Sequence, residues 1–429
     1  MANVVLSSSQ GLNTPIEAVQ QPNPFPSFMR KLCAFLDGPM QNLNDAIEAG
    51  RSTVGDFLRA WAPIGKLLPS IMPLIPHMGQ RQGRDVLRRL AFVPASIEYH
   101  SQCKGEYPGT GLRQANGMEE ALIALGHAAN HVPRDSHDTL WRWNTGTDRI
   151  RFTGDAQENV FAHGVIQTDR VHAESCGAIR PVCWGSAELV SPQTAEALRC
   201  AEANTHFLCD IYIAFRTPRA DWGLKPDFFM KRLRTYLMAY PVGGVTLKGP
   251  NAANIASQVS VDFLTGFGSR AYYERWATER MKHMTQEDAF QVEMDALQTE
   301  PLSVLVLRTL GLAEDLFLSM EDHQVAAQIV GQGAVARAAI TAFTGFAREQ
   351  IRLSGIHWSL MKSHLINPGA ALTPEEKATM PVKHDRGTGR TGHDDTYAIF
   401  RMRHDHPVIS KLIRAVAMMP EGESYEAGL

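Results

Sequence analysis

Three stretches of this sequence place ligating or binding side chains at spacings that could do chemistry. In the first, Leu353, Ile356, His357, Leu360, Met361 and His364 recur at intervals of three, four and seven before Asn367-Pro368, the period of one helix face. Burial on such a face favours the neutral imidazole, the form that ligates a metal. A histidine that merely satisfies a core would look the same, and spacing alone does not separate His357 from His364.

The second stretch, Pro226 to Leu237, combines an apolar stripe (Phe228, Phe229, Leu233, Leu237) with Lys231, Arg232 and Arg234. A guanidinium grips a carboxylate through two parallel hydrogen bonds. One arginine turned inward beside a phenylalanine could therefore hold an aromatic acid, whereas a solvated basic face is the commoner fate of such a run. The third, Arg386-Gly-Thr-Gly-Arg-Thr-Gly392, precedes the last helical stretch. Its glycines could turn amides toward an anion or let the loop close over a ligand. It follows no strand and lacks the P-loop lysine, which argues against a nucleotide site. His393, Asp394, Asp395 and the His404-Asp405-His406 run read as helix-end and surface residues, and Trp141 and Trp143 as packing residues.

These stretches need helices to position them. Helical periodicity runs through 28–95 and then through 192–216, 226–240, 251–267, 270–280, 286–312, 317–329, 333–366 and 394–417. Segment 96–160 is rich in Gly, Asn, Asp and His and reads as irregular, with Arg149–Thr153 as a short extended piece. Pro241–Gly249 and Asn367–Gly392 read as loops, and a loop as long as the second is usually functional or disordered. The expected organisation is a flexible arm over 1–27, a small mixed region over 28–150, and an all-helical domain over 151–429.

The whole-chain totals narrow the classes. With 42 basic and 45 acidic side chains in 429 residues, neither sign supports a nucleic acid or an anionic membrane as partner. The six cysteines form no C-x-x-C pair and are too scattered for a disulfide framework. Leu67–Ile75 is the most apolar short stretch, and Pro69 and Pro73 interrupt it. The reading is a cytoplasmic protein without a membrane span, its oligomeric state left open.

The order of these stretches resembles the indoleamine/tryptophan 2,3-dioxygenase superfamily of haem proteins. His357, Pro368 and the loop with Gly387, Thr388, Gly389 and Thr391 look like that family's proximal-histidine helix and substrate-covering loop. Pro226-x-x-Phe229-x-x-x-Leu233-Arg234-x-Tyr236 is similar to its carboxylate-binding helix. Val242-Gly243-Gly244 and Gly249-Pro250-x-Ala252, more faintly Trp143-Asn144 and Phe152-Thr153-Gly154, resemble the monodechloroaminopyrrolnitrin synthase branch. The resemblance covers roughly residues 140–415.

The resemblance implies a mainly α fold, with a helical haem-binding domain and a smaller mixed N-terminal region. It implies haem b with His357 as proximal ligand, and Gly249, Asn251 and Ala252 on the cofactor side. It further implies O2 as oxidant, peroxide being that of a rival reading; it does not settle the distal residues, for which His163, in Val160-Phe-Ala-His163-Gly164, is the candidate by position. Tryptophan, a substituted tryptophan or another indole would be the substrate, in secondary metabolism, with Arg234 on its carboxylate and Phe229 on its ring. Ser354 stands where the dioxygenases have an arginine, and Arg390 and Gly392 where they have glycine and aspartate. The resemblance therefore does not by itself carry simple ring cleavage. A haem-dependent hydroxylase, a peroxide-using oxygenase of another aromatic amino acid, and a non-catalytic haem- or ligand-binding protein stay open.

Overall fold

The computed structural model describes residues 23–104, 111–216, 223–250, 255–379 and 393–420. Helices carry nearly all of its regular structure. Among the described residues the only strands are Tyr240–Val242 and Val245–Leu247, an antiparallel pair with Val242 opposite Val245. The mixed element thus lies in the middle of the chain, where the sequence suggested a loop, and not in the N-terminal region.

The described residues before 150 carry helices instead, including Phe25–Leu36, Pro39–Glu48, Val54–Gly65, Gln80–Leu90, Phe92–Lys104 and Met118–Ala129. Two of these helices fall in the segment read as irregular. Phe92–Lys104 hides its period because polar groups are buried along it: Asn44 donates to Ser96 at 3.0 Å, and the Leu112 amide donates to the Glu98 carboxylate at 2.5 Å. Arg149–Thr153 is not a strand. The Phe152 and Thr153 amides donate to the Glu158 carboxylate at 2.8 Å each, which replaces a ladder partner by a local one.

Downstream, Pro192–Arg216 has the expected bounds. The stretch 286–312 is two helices, Gln286–Leu297 and Leu302–Leu310, and 394–417 is His393–His404 followed by Pro407–Ala417. Pro301 and Pro407 make these breaks, since proline has no amide to continue the ladder. The stretch 317–329 divides into Glu314–Ser319 and Asp322–Val330. The expected loop at Asn367 begins instead as two short helices, Asn367–Ala371 and Pro374–Thr379.

One apolar core runs from Phe28 through Trp61, Phe152 and Tyr236 to Leu360, so side chains on both sides of residue 150 share it. A second cluster joins Ile179, Phe267, Phe317, Phe343 and Leu412. No helix among the described residues is long and apolar enough to cross a membrane.

Three helices frame the site. Ala156–Cys183, whose N-cap Asp155 accepts from the Gln157 amide, and Ala334–Met361 both pack on Pro192–Arg216. Gly164 permits the first contact, because a Cβ there would sit 2.3 Å from the Phe215 ring. The strand pair is fixed from behind by Arg134, which donates to the Leu247 and Met238 carbonyls at 2.7 and 2.8 Å and lies 3.9 Å over the Tyr240 ring.

Candidate functional site

A cavity lies between the Ala156–Cys183 and Ala334–Met361 helices, with about 210 Å³ open to the centres of water molecules. His357, Phe229 and Arg234, singled out in separate stretches of sequence, all line it. Trp141, Phe161 and Phe229 form one aromatic wall, with ring centroids 5.7 and 5.3 Å apart along the series. Tyr212 forms the back, its ring 6.0 Å from that of His357. Thr396, Ile399 and Arg403, on one face of His393–His404, close another side.

The backbone itself is unusual here. All three π-helical turns among the described residues, Asp138–Arg142, Phe229–Leu233 and Lys362–Ile366, contribute side chains to the cavity. Wide turns of this kind are rare and concentrate at functional sites. The Phe229–Leu233 turn sorts the three cations of its stretch. Lys231 reaches Glu376 at 3.2 Å on the surface, and Arg232 pairs with Asp45 at 2.7 Å. Arg234 turns inward, is 1 % exposed, and touches Met230 Sδ at 3.5 Å.

The two histidines that the sequence could not separate are distinct in three dimensions. His364 is hydrogen-bonded through both nitrogens, Nε2 to the Leu224 carbonyl at 2.7 Å and Nδ1 to Ser363 Oγ at 2.8 Å. His357 has no hydrogen-bond partner among the described residues, and protein encloses its ring while its accessible surface faces the cavity. Burial, and secondarily the Arg403 guanidinium, pushes its imidazole down to about 4. It is therefore neutral at pH 7 with a lone pair available.

His163 does not sit with these residues. It is exposed on Ala156–Cys183, while Gly164, Thr168 and His172 of that helix line the cavity at intervals of four. His163 and His172 are nine positions apart, which at 100° per residue puts them on opposite faces. Gly249 lies beside the cavity residue Pro250, and a Cβ at Gly249 would meet the Leu237 carbonyl oxygen at 1.9 Å. Close backbone packing accounts for that glycine. Asn251 and Ala252, and the loop residues Gly387, Thr388, Gly389 and Thr391, lie outside the described residues.

The electrostatics of the cavity are one-sided. Arg234, Arg280 and Arg403 line it, all buried, and no Asp or Glu is among its described lining residues. Arg403 is held by Asp262 through two hydrogen bonds of 2.7 and 3.1 Å. Such a chamber suits a flat apolar ligand that carries carboxylates. No group of three or more His, Cys, Asp or Glu among the described residues could hold a bare metal ion.

An acid sensitivity follows from the buried imidazoles. His357 and His283 are both pushed down to about 4, each mainly by burial, against about 6.5 when unfolded. The unfolded chain binds protons that the folded chain refuses, so stability falls as pH drops from about 6.5 to about 4. The slope reaches about 1.4 kcal/mol per pH unit per histidine. Urea midpoints across that window measure it, and His357→Leu is expected to flatten the slope. An unchanged slope would mean that His357 titrates as in solution.

Compared with known proteins, the chain matches no protein-family model and no curated protein sequence at a significant level.

Proposed function

We propose that this protein is a haem b-dependent oxygenase acting on tryptophan, a substituted tryptophan or a related indole acid, with His357 as the iron ligand. The observation that carries the reading is the convergence of His357, Phe229 and Arg234 on one apolar cavity in which His357 alone of the two candidate histidines has an uncommitted ring. The residues fit the cofactor. A neutral imidazole faces a slot walled by flat and branched side chains, and the arginines of the lining answer the negative charge of propionates. When bound, haem supplies the oxygen chemistry, with O2 or peroxide as oxidant.

The chain's own contribution is binding and orientation. Arg234 grips the substrate carboxylate, and Trp141, Phe161 and Phe229 pack against its ring. Apolar walls keep water from the reacting face, which strengthens each polar contact inside. Held in this way, the ring presents one edge repeatedly to the same point of the cavity.

Titrating the purified chain with haem tests the proposal. One equivalent is expected to give a sharp Soret band that shifts on reduction and addition of carbon monoxide. Absence of uptake would end the oxygenase reading. The clamp has its own test: Arg234→Lys is expected to weaken tryptophan about 10–100-fold while changing tryptamine little, the range for losing a buried charge-assisted pair. Equal weakening of both would make Arg234 a packing residue.

A further inference from the structure

The direction of the Arg234 side chain is tied to a carboxylate that lies outside the cavity. Glu48 is the last residue of the Pro39–Glu48 helix. An acid at that end opposes the helix dipole, and burial pushes its carboxyl above the usual carboxylate range. Neither local structure nor solvation therefore favours a glutamate here, and its side chain is only 13 % exposed. Both of its oxygens are used across the interface with the Pro226–Leu237 stretch. Oε1 accepts from the Tyr236 hydroxyl at 2.7 Å, and Oε2 accepts from Arg232 Nε at 2.5 Å.

Arg232 and Tyr236 are four residues apart and share one face of their helix. Arg234 is midway between them and points about half a turn away. A single carboxylate that holds both neighbours thus keeps Arg234 directed at the opposite side, where it lines the cavity. The need for such a hold comes from the wide turn Phe229–Leu233 immediately before it. Relaxation of that turn to the regular pitch would rotate Arg234 by about 100°, the angle of one residue. Asp45 at 2.7 Å and Asp155 at 3.6 Å also hold Arg232, but they grip only the near side of the segment. The buried Tyr236 hydroxyl has one hydrogen and gives it to Glu48. The Tyr236 ring stacks on Phe152 at 4.7 Å with 15° between the planes, a contact that sets the plane of the ring and leaves it free to slide.

We propose that Glu48 is a positioning residue for the carboxylate clamp: by bridging Arg232 and Tyr236 it sets the phase of this segment and keeps Arg234 turned into the cavity. Glu48 itself touches no ligand, since it is not part of the cavity wall. The inference deepens the proposed function and rests on it only in giving Arg234 the ligand's carboxylate. It does not depend on haem.

The test is calorimetric titration of the whole chain with indole-3-propionate and with indole-3-propanol, its neutral counterpart. Wild type is expected to prefer the acid. Glu48→Ala should lower that preference about 10-fold, the low end for loss of a charge-assisted pair, because Arg234 is turned and not removed. Affinity for the alcohol should hold, which a merely structural role would not give. Glu48→Gln, whose amide oxygen still accepts from Tyr236, should recover much of the preference. Tyr236→Phe, which keeps the ring stack and drops the hydroxyl, should lose part of it. Glu48→Ala that keeps the full preference, or that weakens both ligands alike, overturns the proposal. Should Glu48→Ala not fold, Tyr236→Phe with an undiminished preference overturns it instead. Arg234→Lys separates this role from the reading beneath it. If that variant abolishes the preference while Glu48→Ala does not, only the positioning role falls. If Arg234→Lys leaves the preference intact, the clamp reading falls and the positioning role with it.

Discussion

His357→Ala is expected to lose the sharp Soret band of the haem-loaded protein, with haem affinity lowered roughly 100-fold or more, since removing even an outer partner of a metal ligand costs 10–100-fold. The expectation rests on three features of one side chain. The ring is neutral at pH 7, has no competing hydrogen bond among the described residues, and borders the cavity. His364→Ala is the informative control, because it lines the same cavity from the same helical face but spends both nitrogens on Leu224 and Ser363. That variant is expected to keep the band. The reverse pattern, with His364 needed and His357 dispensable, would assign iron to the wrong turn of the chain and dissolve the argument from hydrogen bonding.

Asp262→Ala is expected to destabilise the fold by about 3–5 kcal/mol, the usual result of removing one member of a buried ion pair. Asp262 and Arg403 are almost fully buried and meet through two hydrogen bonds, with the Tyr272 hydroxyl donating to Asp262 at 3.4 Å. Without the carboxylate, a guanidinium that lines the cavity has lost its charge partner. Replacing both at once, Asp262→Leu with Arg403→Met, is expected to cost much less, because the desolvation of both charges is then avoided. Chemical denaturation of the two singles and the double forms the cycle. A single-variant cost below about 1 kcal/mol would mean that water or another group already compensates Arg403.

How much of this was legible beforehand depends on whether the signal is local. Pro192–Arg216 kept its expected bounds because a long helix with proline at its first turn announces itself. The breaks at Pro301 and Pro407 were equally local and could have been read from proline alone. Met118–Ala129 was legible and overlooked, since its buried Met118, Ala121, Leu122, Leu125 and Ala129 recur at three and four, whereas Phe92–Lys104 was not, because polar residues along it are buried by distant partners, such as Ser96 and His100 by Asn44. Periodicity reports only contrast between a wet face and a dry one. A helix surrounded by protein has little.

The same division holds for the site. The sequence by itself determined that the chain is mainly helical and which residue types could bind an aromatic acid and a metal: His357, Phe229 and Arg234. Which arginine of three turns inward was decided by a π-helical turn, and which of His357 and His364 has its ring nitrogens committed, by a carbonyl 140 residues away. That His172 and not His163 meets the cavity was decided by the phase of a helix whose extent the sequence did not reveal. Side-chain chemistry is written one residue at a time, but commitment of a lone pair or a charge requires a partner, and in this protein the partners come from remote parts of the chain.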